Sequence, residues 1–185
     1  GYEGHCMLEP DQATRVRLAH EAMDVVRGQV EALRADGHEV VVVSGGGTGT
    51  WDITGANPVM TEIQAGSYCF MDLFHGSLVP SFARSLHVRS TVLMEHGATI
   101  VLDAGRKSIG IDFVQPKLRG HEGVEARYFA EEHALFDFPD AAPLRRGERG
   151  DLVPGYGPTT CNLYDVIHVA EGGTIVDVWP VIPRR

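Results

Sequence analysis

The sequence is poor in the residues that mark several large classes of protein. Only three of its 185 residues are cysteine, Cys6, Cys69 and Cys161. An odd number at wide spacing excludes a disulfide scaffold and points to a reducing, cytoplasmic compartment. Lysine is scarcer still, with Lys107 and Lys117 alone, and no run rich in Lys and Arg occurs. Sixteen basic side chains against 25 acidic ones give a formal net charge of −9. A chain of that sign binds a phosphate backbone poorly, so no nucleic-acid partner is expected. No apolar stretch approaches the ~20 residues that span a bilayer, so no membrane span is expected either. Gly1 to Met7 lack the basic and apolar regions of a signal peptide. What remains is 43% hydrophobic, with 22 Gly and 10 Pro and no low-complexity tract or internal repeat. That is the composition of a globular protein of one domain, or one and a piece.

Periodicity divides the chain in two. Asp11 is a helix N-cap, and Ala13, Val16, Ala19, Met23, Val26, Val30 and Leu33 recur at steps of three and four. Arg34 falls in the last turn and Gly37 is the expected stop. The segment Glu39 to Ser44 contains four consecutive valines, which predicts a strand buried on both faces, as in a parallel α/β sheet. It runs into Gly45-Gly46-Gly47-Thr48-Gly49-Thr50. A second strand is predicted at Thr61 to Ala65, ending in Gly66-Ser67-Tyr68. From about Ser85 the pattern becomes antiparallel β. Strands are predicted at His87–Met94, Thr99–Asp103, Ser108–Asp112, Glu125–His133 and Gly150–Pro154. Tyr164–Ala170 and Thr174–Trp179 follow, joined by the hairpin signal Glu171-Gly172-Gly173. The boundary falls between Phe82 and Ser85.

The glycine-rich run after the first strand is the leading chemical feature. Backbone N–H groups and threonine hydroxyls at such a turn can surround a phosphate, although a plain tight turn explains a lone glycine run equally well. Neither the P-loop lysine nor the dinucleotide fingerprint spacing is present. Gly66-Ser67-Tyr68 offers similar donors at the same end of the next strand. Two adjacent strand-end loops of this kind match the phosphate site at the last two strands of a TIM barrel.

Several strings then resemble one family: VVVSGGGTGTWDITG (41–55), TEIQAGSYCFMD (61–72), LDAGRKSIGID (102–112), EEHALF (131–136), PTTCNLYD (158–165) and the closing VDVWPVIPR (176–184). Together they are similar to the D-threonine aldolase / D-serine dehydratase-like family of fold-type III pyridoxal-phosphate enzymes. The resemblance implies α/β plus all-β architecture: residues 1–84 as the C-terminal part of an alanine-racemase-like TIM barrel, and residues 85–185 as a D-serine dehydratase-like antiparallel β domain. It further implies a homodimer acting on small-molecule D-amino acids, with pyridoxal 5′-phosphate as cofactor. Gly47, Thr48, Gly66, Ser67 and Tyr68 carry over to the cofactor phosphate, and Tyr2 and His5 to the neighbourhood of the ring and substrate. His5 is expected to hold the substrate or take its β-hydroxyl proton. A whole barrel needs about 250 residues, so the chain is expected to begin inside one and to depend on the missing part for folding. The lysine that holds the cofactor would lie upstream, leaving these 185 residues inactive alone.

Family members bind a divalent metal through a His-x-Cys or His-x-Asp pair. Here the matching positions are Tyr156 and Pro158, so no metal site is expected, and Tyr156 becomes a candidate acid/base or hydroxyl-binding group. The expected activity is a lyase on D-β-hydroxy amino acids, of the D-threonine aldolase or D-serine dehydratase type. The alternative is a racemase-like or non-catalytic pyridoxal-phosphate-binding protein.

Overall fold

The computed structural model describes residues 1–182; Pro183 and Arg184, the end of the closing family string, lie outside the described residues. The chain forms two compact units. The first comprises Gly1–Met71 and His75–Ala83, the second Asp72–Phe74 and Arg84–Arg185. Among the described residues no helix is long and apolar enough to cross a membrane.

In the first unit, helix α1 spans Gln12–Ala35. Asp11 caps it by accepting the Thr14 N–H at 2.8 Å, which satisfies one of the orphan donors of the first turn. At the other end Gly37 adopts φ +87°. Its N–H reaches the Arg34 carbonyl while the His38 N–H reaches that of Leu33, the paired bonds of a Schellman stop. Ala19, Met23 and Val30 form the buried face. Strand β1 (Ser44–Gly45) then pairs in parallel with β2 (Glu62–Ile63), in the register Ser44↔Glu62 and Gly45↔Ile63. Between them lie a 3-10 turn at Thr48–Thr50 and the short helix α2 (Trp51–Gly55). A second 3-10 turn, Ser67–Cys69, follows β2; of helix α3 (Leu73–Leu78), the residues from His75 onward belong to this unit.

The valine run departs from its expected double burial. Val43 is buried, but Val41 and Val42 are 68% and 62% exposed. The cause is pairing: bonds to the next strand start at Val43, whose carbonyl accepts the N–H groups of Thr61 and Glu62. Among the described residues β1 has β2 as its one neighbour, and a strand is covered on both faces only when flanked and overlaid.

The second unit is built on a six-stranded antiparallel sheet. Its strands are β3 (Val88–His96), β4 (Thr99–Leu102), β5 (Lys117–Leu118), β6 (Ala126–Phe129), β7 (Ala134–Asp137) and β8 (Arg149–Val153). Their spatial order is β5-β8-β3-β4-β7-β6. Alternation along β3, β4 and β7 sends Val92, Ile100, Leu102 and Phe136 into one core with Ile109, Leu118 and Leu152. Helix α4 (Gly157–Cys161) follows β8. Strands β9 (Val166–Glu171) and β10 (Thr174–Pro180) form a separate hairpin. Its turn uses Gly172 and Gly173 at φ +56° and +84°, the left-handed geometry of a type I′ loop.

Two predicted strands are not strands. Ser108–Asp112 is a turn pinned by the Ser108 and Ile109 N–H groups on the Gly105 carbonyl. The apolar residues that suggest a strand anchor the turn to the core, Ile109 within it and Ile111 packed against it. Glu125–His133 is half strand, half turn: β6 ends at Phe129, and the Ala130 N–H closes onto the His133 carbonyl to start β7. Glu131 and His133 therefore sit in an exposed turn, where Glu132 pairs with Lys107 at 2.7 Å.

On the sheet's outer face Arg89 and Asp151 stand opposite each other on β3 and β8, 2.8 Å apart. The hydrogen bond from Arg89 holds the Asp151 carboxyl below its ordinary value of 3.8. A carboxyl depressed in the folded state adds stability above its unfolded value, and that stability drains away as pH falls through the folded one. Replacing Asp151 with Asn is therefore expected to flatten the acid limb of thermal melts between about pH 5 and 2, with little effect of the carboxyl's titration above that window.

Candidate functional site

Because β1 and β2 run in parallel, the turns that follow them leave from the same edge. The two turns are directly bonded: the Tyr68 N–H donates to Thr48 Oγ1 at 3.1 Å. Gly47, Thr48, Gly66, Ser67 and Tyr68 are thus brought together within the first unit. The first turn is deeply buried, with Thr48 2% exposed, whereas Gly66 and Tyr68 are exposed and Ser67 is half-buried. Among the described residues the N–H groups of Gly47, Thr48, Gly66 and Ser67 and the Ser67 hydroxyl donate to no protein acceptor. Buried donors are nearly always paired, so the buried Gly47 and Thr48 N–H groups have the character of donors set for an acceptor, with the Gly66 and Ser67 donors open beside them. The Tyr68 phenol is pushed up by its hydrogen bond with Cys69 and remains a neutral donor.

The glycines serve a purpose that the sequence does not disclose. A Cβ on Gly45 would lie 1.7 Å from the Gly1 carbonyl oxygen, and one on Gly49 would lie 2.0 Å from that of Met7. A Cβ on Gly47 would meet Met7 Sδ at 2.0 Å. The close approach these glycines permit is that of the chain's own Gly1–Met7 segment. At its centre Glu3 is fully buried. One of its oxygens accepts the hydroxyls of Thr50 and Thr54, and the other accepts the Gly46 N–H at 3.3 Å. Glu3, Thr50 and Thr54 were not among the expected site residues; the one sequence signal is an acidic side chain in the short segment Gly1-Tyr2-Glu3-Gly4.

Tyr2 is 62% exposed, and its hydroxyl donates to Met7 Sδ at 3.6 Å. With His5, Met23, Val26, Val30 and Val43 it lines a groove of about 610 Å³ between α1 and the valine run. His5 is exposed there. Cys6 donates to the Glu3 carbonyl at 3.3 Å, and burial, with Glu3 nearby, pushes its thiol up, so it is no thiolate nucleophile.

Tyr156 belongs to the second unit, as the residue before α4. Its ring meets Phe113 edge-on at 5.0 Å, and Phe113 stacks on Phe74 at 4.5 Å. Its carbonyl accepts the Thr160 hydroxyl at 2.8 Å, while the next N–H, of Gly157, reaches Asp72 Oδ2 at 2.7 Å. Pro158 opens α4 and offers no side-chain donor atom. Burial pushes the Cys161 thiol up as well. Both lysines are engaged by carboxylates in this unit, Lys107 by Glu132 and Lys117 by Glu125. Asp103 and Arg106 are used within the chain, on the Thr91 N–H and the Phe129 carbonyl.

Comparison with known proteins now adds to this geometry. The family described as "Putative serine dehydratase domain" matches residues 85–170. A D-threonine aldolase from Arthrobacter sp. is 30% identical over 99% of this chain and 50% of its own length. A 3-hydroxy-D-aspartate aldolase from Paracoccus denitrificans is 31% identical over 88% of this chain and 44% of its own. Over nearly its whole length the chain is similar to members of the D-threonine aldolase / D-serine dehydratase-like family. Among solved structures of the family, the D-threonine aldolase of Filomicrobium marinum superposes with a TM-score of 0.91 at 31% identity, over 97% of this chain and 51% of that one. The D-threo-3-hydroxyaspartate dehydratase of Delftia sp. HT23 shares the fold, with a TM-score of 0.77 at 21% identity. The chain spans about half the length of the curated family members it matches.

The bridge between the two turns is directly testable. Thr48→Val keeps the side-chain volume and removes the acceptor from the Tyr68 N–H. The Tyr68 amide is expected to exchange with solvent at least about tenfold faster, the effect of losing a hydrogen bond of about 1.5 kcal/mol, while amides of β3 and β4 keep their protection.

Proposed function

We propose that this chain is the phosphate-binding and β-domain part of a pyridoxal-phosphate-dependent lyase that cleaves or dehydrates D-β-hydroxy amino acids. Residues 1–84 would supply the closing part of the barrel and residues 85–185 the β domain. The observation that carries this reading is the pair of parallel-strand turns joined through Thr48 and Tyr68, whose remaining donors have no protein acceptor among the described residues. That donor set fits a phosphate ester: N–H groups and hydroxyls that a TIM-type barrel presents at its last two strands. Names of relatives, D-threonine aldolase and 3-hydroxy-D-aspartate aldolase, supply the substrate class.

In this reading Gly47, Thr48, Gly66, Ser67 and Tyr68 hold the phosphate, and Tyr2 stands beside the ring. His5 holds the substrate or accepts the β-hydroxyl proton, and Tyr156 is the candidate acid/base or hydroxyl-binding group of the second unit. Bound pyridoxal phosphate supplies an electron sink at the substrate's α-carbon. Cleavage between Cα and Cβ gives glycine and an aldehyde; loss of the hydroxyl gives an α-keto acid and ammonia. A divalent cation does not fit Tyr156 and Pro158, one packed among aromatic rings and the other without a donor, and no step is assigned to one. The exposed β9–β10 hairpin, with Ile175, Val176, Val178 and Trp179 each at least 45% exposed, supports a homodimer. Free thiols at Cys6, Cys69 and Cys161 support a cytoplasmic setting.

The test uses the full-length polypeptide. Borohydride reduction is expected to fix one pyridoxyl group by mass, and incubation with D-threonine or D-threo-3-hydroxyaspartate to release glycine or ammonia. His5→Ala is expected to lower kcat/KM by about 100-fold or more, the usual yield of one acid/base group. A protein that takes up the cofactor and turns over neither substrate would favour the non-catalytic alternative, and one that takes up no cofactor would end the lyase reading.

A further inference from the structure

Glu3 is fully buried, and its nearest polar partners are two hydroxyls and one N–H. Among the described residues no cation forms an ion pair with it. Placing an acidic side chain in a protein interior without a counter-charge is costly, and such groups persist where the surrounding donors over-determine them. Here the donors come from distinct places in the chain. Gly46 lies in the glycine run at φ +75°, Thr50 ends the 3-10 turn that Thr48 begins, and Thr54 lies in α2. One side chain therefore ties the Gly1–Met7 segment to the front, middle and back of the first turn. Thr48 carries the tie onward to the second turn through the Tyr68 N–H.

We propose that Glu3 is a positioning residue that sets both turns in their phosphate-binding geometry, working through Thr50, Thr54 and Gly46 rather than by touching the ligand. This rests on the phosphate site proposed above and adds a residue to it. The sign of the effect separates the idea from plain electrostatics. A negative side chain close to an anion site repels the anion, so if charge governed, neutralising Glu3 would tighten phosphate binding. If positioning governs, the same change weakens it. The isosteric amide has only one acceptor oxygen. In Glu3→Gln an amide oxygen kept on the Gly46 N–H turns the NH2 group toward Thr50 and Thr54, whose hydroxyls must then accept instead of donate and lose their bonds to a carboxylate.

The experiment measures Kd for pyridoxal phosphate and for pyridoxal on the full-length apo-protein. Both probes share the aldehyde and the ring, so the ratio of the pyridoxal Kd to the pyridoxal phosphate Kd isolates the phosphate contribution whatever holds the ring. In Glu3→Gln the ratio is expected to fall about tenfold, as for loss of one hydrogen bond to a charged group, with the pyridoxal constant nearly unchanged. Thr54→Val opens the same clasp from α2 and is expected to lower the ratio in the same direction, whereas Thr54→Ser keeps the hydroxyl and is expected to keep the ratio. Thr54→Val also serves if Glu3→Gln fails to fold. An unchanged or increased ratio in a folded Glu3→Gln or Thr54→Val protein overturns the positioning role and leaves the phosphate site standing. A wild-type protein that does not prefer pyridoxal phosphate over pyridoxal overturns the site itself, and this inference with it.

Discussion

The parallel pairing of β1 with β2 governs everything chemical in the first unit. The ladder is short, Ser44 with Glu62 and Gly45 with Ile63, yet its direction is decisive. Antiparallel strands would send their following turns to opposite edges; parallel strands send them to the same one, which is where open and closed α/β sheets place their ligands. The Thr61 hydroxyl strengthens the start of this ladder by donating to the Val43 carbonyl and accepting the Val43 N–H. Once the strands are in register, the Tyr68 N–H falls within reach of Thr48, and the two turns become one structural element.

The second unit solves a different problem. A six-stranded antiparallel sheet with short strands must fill one face and solvate the other. Phe136, Ile100, Leu102 and Leu152 are each fully buried, and the opposed positions carry Arg89 with Asp151 and Arg127 with Asp137. Those exposed pairs each add little by themselves. Their contribution is to register, because each joins strands at directly facing or neighbouring positions. The core does the stabilising, with Ile109 entering it from a turn rather than a strand.

Local grammar was legible in the sequence wherever a single residue type decides the backbone. Asp11 and Gly37 bound the helix as expected, and Gly172-Gly173 turns the terminal hairpin. The predicted strands at 87–94, 99–103 and 150–154 are found within two residues of their ends. What failed did so where tertiary context outweighed pattern. Val41 and Val42 read as core but lack a cover among the described residues. The Ser108–Asp112 segment is apolar because Ile109 and Ile111 anchor a turn on the core, and Glu125–His133 hides a reversal at Glu131-Glu132 that carries no glycine or proline. Glu3 was invisible for a stronger reason: its partners Gly46, Thr50 and Thr54 lie 43, 47 and 51 residues away, and no local pattern encodes such a meeting. The glycine run was read as room for a ligand, whereas much of that room is filled by Gly1 and Met7.

The charge of the chain explains why so much structure is spent on fixing two turns. A net charge of −9 places any bound phosphate in an unfavourable overall field, and the donors at the turns are neutral N–H and hydroxyl groups rather than lysine or arginine. Both lysines are committed to carboxylates in the other unit. Neutral donors bind an anion well only when several converge with little freedom to lose, since each is worth far less than an ion pair in a dry site and every flexible turn must be ordered on binding. Ordering the turns beforehand removes that cost. Glu3 orders the first from within, Met7 packs over its glycines, and Thr48 passes the constraint to the second. The buried acid is thus not at odds with the anion site proposed here, because in that reading it holds in place the uncharged donors on which the site depends.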